Sequence, residues 1–176
     1  MDAVQALVKF VSGLHSSIFN LVWVLATLLA ITGSITFLST QVRQARLPHG
    51  GGGSGRIVAW ILLCAGLVAL PQMIGAGAAQ MGWNSVSFDE IAYVSTAKFG
   101  AGADAANAVL TFVRAIGGIY CLNAWLLFRR ALKDGHTGLT AGQDIAGGWV
   151  RFICGILMIC NPYLLDALQS TFGLVW

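Results

Sequence analysis

SIFNLVWVLATLLAITGSITFLS, Ser17 to Ser39, decides the fold class. It carries no charge and matches the roughly 20 residues that an α-helix needs to cross a bilayer. Three more apolar runs follow: Ile57 to about Trp83, Ala106 to Phe128, and Trp149 to Trp176. Four such runs in 176 residues predict an all-α membrane protein with four transmembrane helices. Composition points the same way. Charged residues make up 10% of the chain and hydrophobic ones 57%, whereas a soluble domain carries about 25% charged residues. A soluble domain of this size would show water a largely apolar surface. The net charge of +3 is too small to mark a surface for duplex nucleic acid.

Before the first run, residues 1–16 place Val4, Leu7, Val8, Val11 and Leu14 at helical spacing. This predicts a short amphipathic helix that lies on a membrane or on a neighbour. The basic opening and cleavage site of a signal peptide are lacking. Residues 17–83 then form a first helical hairpin with a basic tip at 40–56, and residues 84–105 an acidic connection. Residues 106–176 form a second hairpin with a basic tip at 129–147. Arg43, Arg46 and Arg56 stand in the first tip, Arg129, Arg130 and Lys133 in the second. Cytoplasmic loops collect Lys and Arg. Both tips are therefore expected in the cytoplasm, and the acidic connection and both termini in the periplasm. Trp83, Trp149 and Trp176 bound runs as interface anchors do. Pro71 and Pro162 are expected to kink their helices without ending them.

The halves resemble each other. In each, a helix with small residues (Gly33; Gly117 and Gly118) leads to a basic tip. A second helix then brings Trp, Cys and Pro in the same order: Trp60, Cys64, Pro71 and Trp149, Cys154, Pro162. One hairpin is used twice in the same orientation.

A hairpin with a basic cytoplasmic tip, Gly-rich helices and periplasmic ends resembles the VirB2-type pilins of type IV secretion systems. Two hairpins, and no long cleavable leader, depart from that pattern. They point to the type IVB branch, where the layout resembles the TraQ/IcmC (DotE) family of IncI conjugation and Dot/Icm secretion. The resemblance covers most of the chain and rests on layout, the Gly117–Gly118 turn and the Cys154–Pro162 stretch. It implies a pilus subunit that self-associates, holds structural phospholipid and works with other type IV secretion components, with transferred DNA only as passing cargo. The location it implies is the bacterial inner membrane before assembly and an extracellular pilus afterwards. A fixed inner-membrane subunit of the same apparatus is the alternative. A small transporter or channel is a second one, and the parallel rather than inverted repeat argues against it.

Gly33, Gly66, Gly75, Gly117, Gly118 and Gly155 sit inside apolar runs, where small residues let helix backbones approach. The tip residues have a plain role as topology determinants. In an assembled tube they would also line a lumen and meet lipid headgroups. Gly50–Gly53 lacks a P-loop's Lys and reads as a flexible linker. Cys64, Cys121, Cys154 and Cys160 lie in apolar stretches, with no metal-ligand spacing to a His, and read as buried thiols. His15, His49 and His136 have no acid or nucleophile partner in a triad spacing, and Asp89–Glu90 reads as solvated loop. No catalytic residue, metal or cofactor is expected. Arg114 and Asp166 are charges inside apolar runs. Both lie roughly 12–15 Å from the same end, at 1.5 Å per residue. Pairing is the usual remedy for such charges, so an Arg114–Asp166 ion pair is expected, within the chain or between neighbours.

Overall fold

The computed structural model describes residues 3–45, 54–83, 86–132 and 138–173. They form seven helices: α1 (Ala3–Ala45), α2 (Ser54–Val68), α3 (Leu70–Gln80), α4 (Thr96–Phe99), α5 (Ala101–Ala131), α6 (Gly138–Ile159) and α7 (Asn161–Phe172). No strand occurs among the described residues, so the all-α expectation holds. By length and composition α1 and α5 can each cross a membrane. The pairs α2–α3 and α6–α7 reach that length only if each bent pair counts as one span, which gives two to four candidate spans.

Residues 3–16 do not form a separate surface helix. They run without a break into the first apolar run, and α1 is 43 residues long. Where a boundary was expected, the Ser17 hydroxyl bonds back to the Gly13 carbonyl at 2.9 Å, which satisfies it without interrupting the helix. Thr27, Thr32, Thr36 and Thr40 do the same along α1. Its polar groups are thus satisfied internally, as lipid demands.

The prolines do more than kink. The axis turns by 91° between α2 and α3 and by 76° between α6 and α7. Each turn falls two residues before a proline, at Ala69 (φ −93°, ψ 24°) and Cys160 (φ −91°, ψ 25°). Proline has no N–H to donate and its ring crowds the carbonyl four residues back. The same backbone device stands at corresponding places in the two halves.

Close packing uses glycine. A Cβ on Gly117 would stand 2.7 Å from the Gly155 carbonyl oxygen, and one on Gly155 would stand 2.5 Å from Cys121 Sγ. There α5 and α6 meet backbone to backbone. Gly66 of α2 receives the Trp125 ring, Gly118 faces Phe19, and Gly33 faces the Arg129 guanidinium. Gly75 has nothing within 4 Å of a built Cβ, so it is not a packing position within the chain. Gly77 and Gly148, facing Ile156 and Phe128, take that role instead. The core they surround contains Leu67, Leu70, Ile74, Ile156 and Ile159, all buried. The opposite face of α1 is unpartnered. Leu21, Val24, Leu28, Ile31, Ile35 and Leu38 are each more than half exposed.

Candidate functional site

Two polar constellations interrupt this apolar framework, one at each end of α5. Near its first half, Asn107, Thr111 and Arg114 follow one another at i, i+4 and i+7, on one face of the helix. Together they hold the connection between α3 and α5. Asn107 Oδ1 accepts from the amides of Tyr93 (3.1 Å) and Val94 (2.8 Å), and its Nδ2 donates to the Val94 carbonyl at 3.0 Å. The Thr111 hydroxyl accepts from the Ile91 amide at 3.0 Å. A terminal nitrogen of Arg114 donates to the Asp89 carbonyl at 2.6 Å. Irregular backbone lodged among helices is thereby satisfied.

Arg114 also explains the second joint. The Tyr163 amide bonds the Cys160 carbonyl, one residue short of the regular helical acceptor. The Ile159 carbonyl instead accepts from Arg114 Nε at 3.0 Å. From the joint itself, Asn161 Nδ2 donates to the Leu110 carbonyl of α5 at 2.8 Å. The guanidinium is buried, yet its partners are main-chain oxygens freed by a break and a loop.

The expected Arg114–Asp166 pair does not form within the chain. Asp166 accepts from the Tyr93 hydroxyl at 2.7 Å, and it is exposed while Arg114 is buried. Asp166 lies past the 76° turn, so counting depth along a straight helix misplaced it. Burial, followed by the bond to Asp166, pushes the Tyr93 phenol up to about 12. It therefore stays a donor.

Near the other end of α5, Arg129 turns inward. Its guanidinium carbon lies 5.7 Å from the centre of the Trp60 ring, a cation–π geometry. One terminal nitrogen reaches the Leu29 carbonyl at 3.5 Å. Phe37 stacks on Trp60 at 5.1 Å. Arg129 Nε and the indole Nε1 of Trp60 and of Trp125 have no hydrogen-bond partner among the described residues, although each is buried. Beside them runs an apolar groove of about 650 Å³ between α2, α3, α5 and α6. Ala59, Ala131 and Leu132, the sequence neighbours of Trp60 and Arg129, line one end, and Met73 and Phe152 lie further in. Three inward N–H donors and a positive charge beside an apolar slot suit an acceptor-bearing anionic head joined to an aliphatic chain.

The other tip residues are dispersed. Arg43 is exposed in the last turn of α1. Arg130 is exposed and pairs with Asp144 of α6 at 3.4 Å. Arg46 and Lys133, and the Arg56 side chain, lie outside the described residues. Of the six tip residues, only Arg129 joins the groove constellation. The four thiols are free, with Cys121 and Cys160 buried and Cys154 exposed. No His, Cys, Asp or Glu group with metal-site geometry occurs among the described residues. Two signals were passed over in the sequence: the polar stripe Asn107–Thr111–Arg114, and the Trp60 and Trp125 donors.

Compared with protein-family models, with curated proteins and with solved structures, the chain matches none.

Proposed function

We propose that this chain is a structural, non-enzymatic membrane protein: a pilin-like subunit of a conjugative or type IV secretion pilus that assembles with copies of itself and with phospholipid. In this reading each bent pair is one span, giving four crossings with both termini periplasmic until the chain is drawn into a filament. The observation that carries it is the apolar α1 segment Val8–Arg43, 36 residues long. At 1.5 Å per residue it measures roughly 54 Å, against about 30 Å of bilayer hydrocarbon. Tilting by 40°, the upper end of the usual range, accommodates only about 26 residues. The remainder needs protein or displaced lipid around it, and an assembly supplies both.

The Arg129–Trp60–Trp125 groove supports the lipid half of the proposal, through donors suited to a phosphate and a slot suited to an acyl chain. The bends at Ala69 and Cys160 favour a second reading, a fixed membrane subunit or channel, because broken helices are common where backbone lines an intramembrane site. Filaments sheared from producing cells decide between them. Electron microscopy with antibody labelling should find the chain in filaments, and lipid extraction should recover phospholipid near one per chain. A chain confined to the membrane fraction under conditions of active transfer would leave the fixed-subunit reading.

A further inference from the structure

The two hairpins lie side by side and parallel, but not level. In space α1 and α5 follow one steady register: Phe19 stands beside Gly118, and Leu29 and Gly33 stand beside Arg129. The sequence repeat sets a different correspondence, in which Gly33 matches Gly117. The second hairpin is therefore displaced from the first by about 15 residues along the helix axis, roughly 22 Å. An internal operator that contains a translation does not close on itself. Repeated between chains, it gives a heterologous, open array instead of a ring.

The face of α1 that α5 covers carries Val22 and Ala26, both buried. Their counterparts in the repeat are Ala106 and Leu110 of α5. These two, with Val109, line an open groove of about 690 Å³ closed on its far side by Tyr93, Phe99 and Leu165. What the first hairpin has filled, the second leaves open. The same operator states what fills it. The segment of a second copy at that level is the far end of α1, near residues 37–41. This end carries an exposed apolar stripe, Ile35 (62%), Leu38 (63%) and Val42 (56%). It also belongs to the apolar length that one bilayer cannot cover.

We infer that the groove at Ala106, Val109 and Leu110 is the docking site for the Ile35–Leu38–Val42 end of α1 from a second copy of this chain, added head to tail. The inference rests on the self-assembling subunit proposed above and specifies its interface. Neighbouring chains are then offset by about 30 residues, roughly 45 Å along their helices. That offset exceeds the hydrocarbon thickness. The contact therefore belongs to the filament and does not form between two chains seated in one bilayer.

The test is thiol cross-linking of the full chain carrying Leu38→Cys and Val109→Cys in a Cys64→Ala, Cys154→Ala background. Filaments should yield a ladder of two, three and more linked chains. Each single replacement should give no ladder, and the same double variant in membranes should stay monomeric. A species that stops at two chains would show an isologous contact and overturn the inference. So would a ladder formed in the membrane. Lipid-containing filaments without the ladder overturn this interface and leave the proposed function standing. Absence of both filaments and ladder overturns the two together.

Discussion

Arg114 Nε lies 3.0 Å from the carbonyl oxygen of Ile159, the last residue of α6 before the turn at Cys160. A charge inside an apolar helix is thus engaged as a clamp on broken backbone. The first half has the same turn without the clamp. There the positions matching Arg114 and Asn161 are Ala30 and Leu70, 2% and 0% exposed, so that joint is closed by packing alone.

Removing the clamp should destabilise the second joint. Arg114→Met leaves the Ile159 and Asp89 carbonyls without their donor, at about 1–3 kcal/mol for each buried group left unsatisfied. Asn161→Leu should cost less, because one neutral bond is lost. The two share a joint, so the double variant should fall short of the sum. Unfolding in mixed micelles, followed by far-ultraviolet circular dichroism, gives all three values. Strict additivity would show that the residues act separately.

The glycines divide into two groups with opposite expectations. Gly155→Ala puts a methyl 2.5 Å from Cys121 Sγ and 2.8 Å from a backbone oxygen. It should cost about 1–3 kcal/mol, the usual range for overpacking. Gly75→Ala meets nothing within 4 Å. It should be neutral, or stabilising by up to about 1 kcal/mol from helix propensity. Thermal unfolding of the two variants in one detergent tests both.

Tyr93 and Asp166 give a pH signature outside the membrane-spanning segments. The folded phenol is pushed up to about 12 from an ordinary value near 10. A group raised on folding contributes stability that is fully present below the unfolded value and lost as pH rises through the folded one. The loop contact should therefore hold to about pH 10 and weaken towards pH 12. Absorbance titration near 295 nm should show one late-ionising tyrosine, missing in Tyr93→Phe and shifted to lower pH in Asp166→Asn. An unchanged midpoint in Asp166→Asn would leave burial as the whole cause.

Composition and run length were enough to read the helices and their apolar character, because both are properties of single segments. The same holds for Gly117 and Gly155, since small residues clustered in apolar runs have few other uses. Pairing across elements was harder to read. Arg114 and Asp166 matched in depth only along straight helices, and the turn before Pro162 removed that premise. Gly75 and Gly77 look alike in sequence, and only the rotation of α3 against α6 decides that Gly77 faces Ile156. Arg129 and Arg130 are adjacent, and a 100° step about α5 sends one inward over Trp60 and the other towards Asp144.

That division of Arg129 from Arg130 yields the sharpest test of lipid binding. Arg130 is 64% exposed in its pair with Asp144. Exposed pairs contribute about 0–1 kcal/mol, so Arg130→Gln should leave stability and lipid content nearly unchanged. Arg129 stands inward with Trp60 beside the apolar groove. A charged hydrogen bond to a phosphate is worth about 1.5–3 kcal/mol. Arg129→Gln should therefore lower affinity for anionic phospholipid by roughly 10- to 100-fold, and Trp60→Phe, which removes one donor, by less. Phosphorus analysis of chain purified through successive detergent washes, alongside native mass spectrometry of the lipid-bound species, measures this. Equal phospholipid retention by the Arg129→Gln and Arg130→Gln chains would mean that the groove does not hold a headgroup. Lipid would then be held by apolar surface alone.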